Sequence, residues 1–192
     1  MVDPHLLVPA RVLWVLLSAY IASATATIPR GRGPPMDFGR VWRRDGRRVL
    51  GPSKTWSGFV FGALFALPFG LLEAWLVTIA PPDLQLVPSF GPTVLAAVPV
   101  VLTISFGAMT GDALGSFIKR RLGRDSGVRA PLLDQLPFVL VPIAAGVVVA
   151  PTVFLPTFFS WEGAAWLLVF TLGLHALFNW IGFHVHLKKV PW

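Results

Sequence analysis

The sequence predicts an all-α, polytopic membrane protein of five transmembrane helices, and three observations carry that expectation. Five stretches, at about 7–28, 57–80, 92–115, 136–156 and 161–183, each supply the roughly 20 mostly apolar residues that a bilayer-spanning helix needs. Of the 192 residues 55% are hydrophobic and only 13% charged, with a mean hydropathy of +0.70, which excludes an ordinary soluble domain. The third observation is where the cations sit. Of 16 Lys and Arg, eight fall in 29–56, five in 116–135 and two in the 184–192 tail, while the 81–91 and 157–160 connections have none. The positive-inside rule then places the N-terminus outside, the C-terminus in the cytoplasm, and both basic loops on the cytoplasmic side of one integral membrane domain.

The first span ends in Ala24-Thr25-Ala26, a pattern similar to a signal-peptidase site. Cleavage there would put the Arg-rich 29–56 loop outside, against the charge bias, so the span is expected to be retained.

The loop that follows, IPRGRGPPMDFGRVWRRDGRRVLGPSKTW, holds too much Gly and Pro for a continuous helix, and Asp45-Gly46 is a strong turn signal that suits a small hairpin. Arg30, Arg32, Arg40 and Arg43 read first as topogenic charge attracted to anionic lipid. Gly51-Pro52-Ser53-Lys54-Thr55 differs, because it sets two hydroxyls and a Lys directly before the second span, where free backbone N–H groups add a positive dipole end. That arrangement suits a phosphate. The G-x-x-x-x-G-K spacing of a P-loop is missing, and an N-cap with a snorkelling Lys is the alternative. Glu73, in the outer part of the second span, reads as a side chain leaning toward the outer surface.

The third span turns abruptly into cations at GDALGSFIKRRLGR. If its helix continues past the membrane surface, Asp112, Ser116 and Lys119 stand at i, i+4 and i+7 and share a face. A carboxylate can hold Mg2+, which prefers one or two carboxylates plus phosphate oxygens. The Lys then meets a further phosphate about 10 Å along the axis. A carboxylate at the membrane edge is a functional candidate by default; the competing role for Asp112 is a pair with Arg120 or Arg121. Asp125 and Asp134 follow in the second loop, and antiparallel packing of spans three and four would bring Asp112 and Asp134 together at its two ends. On span five, His175 and Asn179 lie one turn apart and suit an interhelical hydrogen bond. His184 and His186 read as surface residues. With no Cys, disulfides and Cys-based metal sites are excluded.

These residues carry a resemblance. GPSKTWSGFVFG and GDALGSFIKRRLGRDSGVRAPLLDQLPF are similar to the two signature stretches of the CTP:phosphatidate cytidylyltransferases, and chain length, span count and the LDQL stretch are closer to their shorter archaeal branch, the CDP-archaeol synthases. Arg124-Asp125 stands where the bacterial signature has Lys-Asp, and Pro137 where it has a second Asp. The resemblance implies an enzyme that transfers the cytidylyl group of CTP to the phosphate of an unsaturated isoprenoid ether lipid, 2,3-bis-O-geranylgeranylglycerol 1-phosphate, with Mg2+. It implies Asp112 and Asp134 as metal ligands with Asp125 a third, and Lys54 and Lys119 on the triphosphate with Ser53, Thr55, Ser116 and Asp125 around CTP. Arg43, Arg44, Arg47, Arg48 and Arg120 would draw in the lipid phosphate. The partners are then CTP, the lipid phosphate and the surrounding membrane lipids, with no nucleic acid. Three rivals remain: a CTP-dependent lipid kinase, a phosphatidate cytidylyltransferase, and a transporter, which would place its polar cluster near the bilayer midplane instead of at one surface.

Overall fold

In the computed structural model, residues 3–187 are described apart from Asp83, Leu84, Gly127 and Arg129; Lys188 and Lys189, counted above, lie outside the described residues, as does Arg129. All regular structure among the described residues is helical, with two isolated β-bridges in the first loop. The helices are α1 (Pro4–Thr25), α2 (Trp56–Ile79), α3 (Val94–Arg121), α4 (Pro131–Gln135), α5 (Pro137–Val149), α6 (Pro151–Phe158) and α7 (Trp161–His184). Four of them, α1, α2, α3 and α7, are long and apolar enough to cross a membrane.

The expected fourth span is not one helix. It breaks at Ala150, where φ −144° and ψ 65° leave the helical region. The cause is Pro151, which has no N–H for the preceding turn and disfavours helical geometry in the residue before it. The ring of Phe154 packs onto Gly146, so the chain bends at the break. By itself α5 has 13 residues, about 20 Å long, short of the roughly 30 Å hydrocarbon core.

Helix α1 is central. Val12, Val15, Leu16, Ala19 and Ala22 are fully buried, and it packs against α2, α3, α5, α6 and α7. The N-terminal segment is thus a structural core element. Close approach of α3 to α4 and α5 depends on Gly107, Gly111 and Gly115. A Cβ on Gly107 would stand 2.9 Å from Pro142 Cα and one on Gly115 2.6 Å from the Leu133 carbonyl oxygen, while one on Gly111 would strike the Pro137 carbonyl. Small residues at helical spacing let backbones meet in this way.

Glu73 does not lean outward. It is buried against α1, where Ser18 Oγ donates to its Oε2 at 3.3 Å, and its Oε1 has no partner among the described residues. The expected lipid-edge position fails because Gly70, one turn earlier, lets α2 approach Ser18 closely. At one end of the bundle His5 Nδ1 lies 2.8 Å from Glu162 Oε1 and Arg11 Nε donates to the Leu86 carbonyl at 3.3 Å. The two basic loops sit at the opposite end.

Candidate active site

The first loop is built around Asp37, whose role the sequence reading missed. Its carboxylate is fully buried and accepts from Arg48 Nη2 at 2.5 Å, Arg48 Nε at 3.3 Å, and the backbone N–H groups of Gly39, Leu50 and Gly51 at 3.0–3.1 Å. Burial pushes this carboxyl up, yet the hydrogen bonds from Arg48 and then from the backbone outweigh it and hold it well below the usual carboxylate range. The loop closes on itself at its base, where Met36 N donates to the Lys54 carbonyl and Trp56 N to the Pro34 carbonyl. The expected hairpin is present. Trp42 N donates to the Arg47 carbonyl at 2.7 Å, Val49 N to the Arg40 carbonyl at 3.0 Å, and Gly46 takes the positive φ (67°) that the turn requires.

Arginines clamp this loop to the second one. Arg47 Nη1 donates to the Gly123 carbonyl at 2.6 Å and lies 3.5 Å from Asp125; Arg120 Nε donates to the Leu50 carbonyl at 3.2 Å and its Nη1 to the Arg124 carbonyl at 2.5 Å. Arg121 pairs with Asp45 at 2.9 Å, donates to the Arg48 carbonyl and lies over the rings of Trp42 and Phe117. Arg47 and Arg120, expected at a lipid phosphate, are therefore engaged in holding the two loops as one body, and Arg48, expected there too, is tied to Asp37 within the first loop. Arg43 and Arg44 are exposed at the hairpin tip and line no part of the main cavity.

With the loops clamped, two lysine–carboxylate pairs face one cavity. Lys54, directly before the Thr55 cap of α2, donates from Nζ to Asp112 Oδ2. Lys119, on the last turns of α3, donates to Asp134 Oδ1, and Asp134 Oδ2 accepts from Ala130 N at 2.8 Å. Helix α3 is longer than the roughly 30 Å hydrocarbon core, its 28 residues reaching about 42 Å, and Asp112, Ser116 and Lys119 are on one continuous helix. The competing pairing of Asp112 with Arg120 or Arg121 does not occur. All four charged groups, with Ser53, Thr55 and Ser116, line a single cavity of about 770 Å3. Thr55 Oγ1 is committed to its helix, accepting from Gly58 N at 3.2 Å.

Asp125 stands apart. Its side chain is 88% exposed and borders a separate 210 Å3 cleft with Arg47 and Arg48. No group of three or more His, Asp or Glu stands together among the described residues. A donor set of two carboxylates, Asp112 and Asp134, with the Ser116 hydroxyl on the same face still fits Mg2+, which takes few protein ligands and completes its shell with phosphate oxygens and water.

The cavity continues between the helices, where it is lined by Tyr20, Phe138, His175, Phe178 and Asn179. Asn179 Nδ2 and His175 Nδ1 are 3.0 Å apart along α7, and the Phe138 ring of α5 stacks on His175 at 6.1 Å. Arg30, read from the sequence as topogenic, also lines this cavity. His184 is exposed beside Trp180, as expected of a surface residue, whereas His186 is exposed at the cavity rim.

The CarS-like, CDP-archaeol synthase family model matches residues 5–192. A CDP-archaeol synthase of Methanocaldococcus jannaschii is 41% identical over 182 residues, covering 94% of this chain and 95% of its own. One of Methanopyrus kandleri is 39% identical over 184 residues, covering 94% and 91%. A solved structure described as an intramembrane enzyme for archaeal membrane lipids biosynthesis superposes with a TM-score of 0.59 at 34% identity, covering 82% of this chain and 88% of that one.

Proposed function

The chain belongs to the CDP-archaeol synthase family, and on that premise we propose that it forms CDP-archaeol by transferring the cytidylyl group of CTP to 2,3-bis-O-geranylgeranylglycerol 1-phosphate. A lipid phosphate oxygen attacks the α-phosphorus, a new P–O bond forms, the bond to the β-phosphate breaks, and pyrophosphate leaves. The nucleophile has a second pKa of about 6 and is largely dianionic near neutrality, so no general base is required. What the reaction needs is relief of repulsion between two anions and support for the leaving pyrophosphate.

The observation that carries this reading is the pair of lysine–carboxylate contacts facing one cavity, Lys54 with Asp112 and Lys119 with Asp134. Each pair is neutral before substrate arrives. When the triphosphate enters, the lysines turn from carboxylate to phosphate oxygens, and Asp112 and Asp134 would then be the residues that hold Mg2+, whose chemistry there would be to offset the triphosphate charge. Ser53 and Ser116 add hydroxyl contacts, and Thr55 fixes the start of α2 beneath them.

In this reading α5 and α6 together make a fifth crossing. They return the chain from Asp134 at the cavity end to Glu162, which meets His5 at the other. With the basic loops held inside by their charge, the N-terminus is outside, the C-terminus and the cavity face the cytoplasm, and the chain is one domain.

Purified protein in detergent, given Mg2+, CTP and the lipid phosphate, is expected to keep α-phosphate label in the lipid and to release unlabelled lipid from γ-labelled CTP. Retention of γ-label would make the protein a lipid kinase and overturn the reading.

A further inference from the structure

Resting on the cytidylyl-transfer reading of the cavity, we propose that Arg30 receives the phosphate monoester of the lipid, which enters through a lateral slot between α2 and α7. Four cationic side chains line the cavity among the described residues: Arg30, Lys54, Lys119 and Arg120. Three are engaged. Lys54 and Lys119 hold Asp112 and Asp134, and Arg120 is tied to two loop carbonyls. The Arg30 guanidinium alone makes no hydrogen bond or ion pair with any described residue; only its backbone is bonded, through N to the Thr27 carbonyl at 3.0 Å.

A transfer between two anions needs cationic contacts for both. The lysines released by Asp112 and Asp134 serve the triphosphate on the α2–α3 side. Arg30 lies elsewhere in the lining, on the segment that leaves α1, together with Ile28 and with Ile181, Val185 and Leu187 from the end of α7. Ile28, Ile181, Val185 and Leu187 are apolar, and Arg30 has no side-chain partner among the described residues, a combination that suits a phosphate joined to a hydrocarbon body.

Depth agrees with that assignment. Helix α1 has 22 residues, about 33 Å, which matches the hydrocarbon thickness of roughly 30 Å. Arg30 follows five residues later, in a turn where it and Gly31 both take positive φ (52° and 70°), and so stands at the level of lipid headgroups. Helices α2 and α7 both border the cavity, through Gly58 and Phe59 and through Phe178 and Gly182, and both pack on α1, yet among the described residues they share no packed interface with each other. Ser23, Ala24 and Thr27 of the α1 segment line the cavity between them. A lipid whose chains remain in the bilayer can bring its phosphate to Arg30 through this slot without leaving the membrane.

Steady-state kinetics in mixed micelles, with CTP and lipid phosphate varied separately, test the assignment. Arg30→Ala is expected to raise KM for the lipid at least about tenfold while KM for CTP stays within about twofold, and Arg30→Lys to recover much of the loss. Arg32→Ala, outside the cavity lining, should leave both constants near wild type. Calorimetric CTP binding equal to wild type shows that Arg30→Ala is folded. An unchanged lipid KM, or equal rises in both constants, overturns the assignment while the reaction itself stands. A binding arm without turnover separates the two ideas: wild-type protein should retain the lipid phosphate over the matching dephosphorylated alcohol in native mass spectra, and Arg30→Ala should lose that preference. If wild type binds selectively but makes no CDP-lipid, the reaction fails and the phosphate contact survives; if Arg30→Ala keeps the preference, the contact fails.

Discussion

At the scale of single residues, the site is a set of charges held in check by one another. Asp112→Asn keeps shape but removes the charge that would hold Mg2+ and that now holds Lys54. A loss of at least about 100-fold in kcat is expected, the scale for removing one electrostatic stabiliser, with protein yield and elution unchanged. Near-normal turnover at limiting Mg2+ would remove Asp112 from the site. Lys54→Ala and Lys119→Ala should each cost several kcal/mol in kcat/KM for CTP, because each loses a charge-assisted phosphate contact and strands a carboxylate. Ala at Arg32 or Arg40, which act through the screened surface potential, should cost about 1 kcal/mol or less and the effect should fade as salt rises. Asp37 predicts a pH effect. Its folded-state pKa is depressed, so its contribution is full above the unfolded value of about 3.9 and is lost as pH falls through that value toward the folded one. Thermal midpoints measured between pH 7 and pH 3 should therefore fall more steeply for wild type than for Asp37→Asn at the acid end.

At the scale of elements, the Gly107, Gly111 and Gly115 face of α3 is what lets Lys119 reach Asp134. It brings the α3 backbone against Leu133, Pro137 and Pro142. Gly111→Val places a branched side chain where even a Cβ meets the Pro137 carbonyl, and destabilisation of about 1–3 kcal/mol or more is expected, with activity falling alongside. Gly173 is the control. Nothing lies within 4 Å of a Cβ built there on α7, so Gly173→Ala should be neutral or raise stability by roughly 0.5–1 kcal/mol through helix propensity. Thermal unfolding in detergent compares the two. The glycine spacing was present in the sequence, but glycine at every fourth position says only that some backbone comes close. Which backbone it is depends on the α4–α5 segment folding back after the second loop.

For the whole molecule, the orientation proposed above rests on charge, and the Cys-free chain makes it easy to test. In intact cells or sealed right-side-out vesicles, a membrane-impermeant thiol reagent is expected to label Phe159→Cys and to spare Arg44→Cys, with the pattern reversed in inverted vesicles. Labelling of Arg44→Cys from outside would put the cavity on the wrong face for CTP.

Transfer of a side chain out of water is a property of that residue and its near neighbours, so the sequence alone determined the membrane class, four of the helices and the hairpin at Asp45-Gly46. It also placed Lys54, Asp112, Lys119 and Asp134 at one end of the bundle. Partners are another matter. Lys54 and Asp112 are 58 residues apart and Arg121 and Asp45 are 76, so their meeting depends on how closely packed helices close long loops. For that reason the tertiary structure decided that Asp112 is held by Lys54 and not by Arg120, that Glu73 turns inward, and that Arg47, Arg120 and Arg121 clamp the two loops together. It alone separated Asp125 from the other carboxylates and left Arg30 as the cation in the cavity lining with no described partner. In a row of similar cations the charge of each is written in the sequence, and only its surroundings distinguish a structural tie from a binding contact.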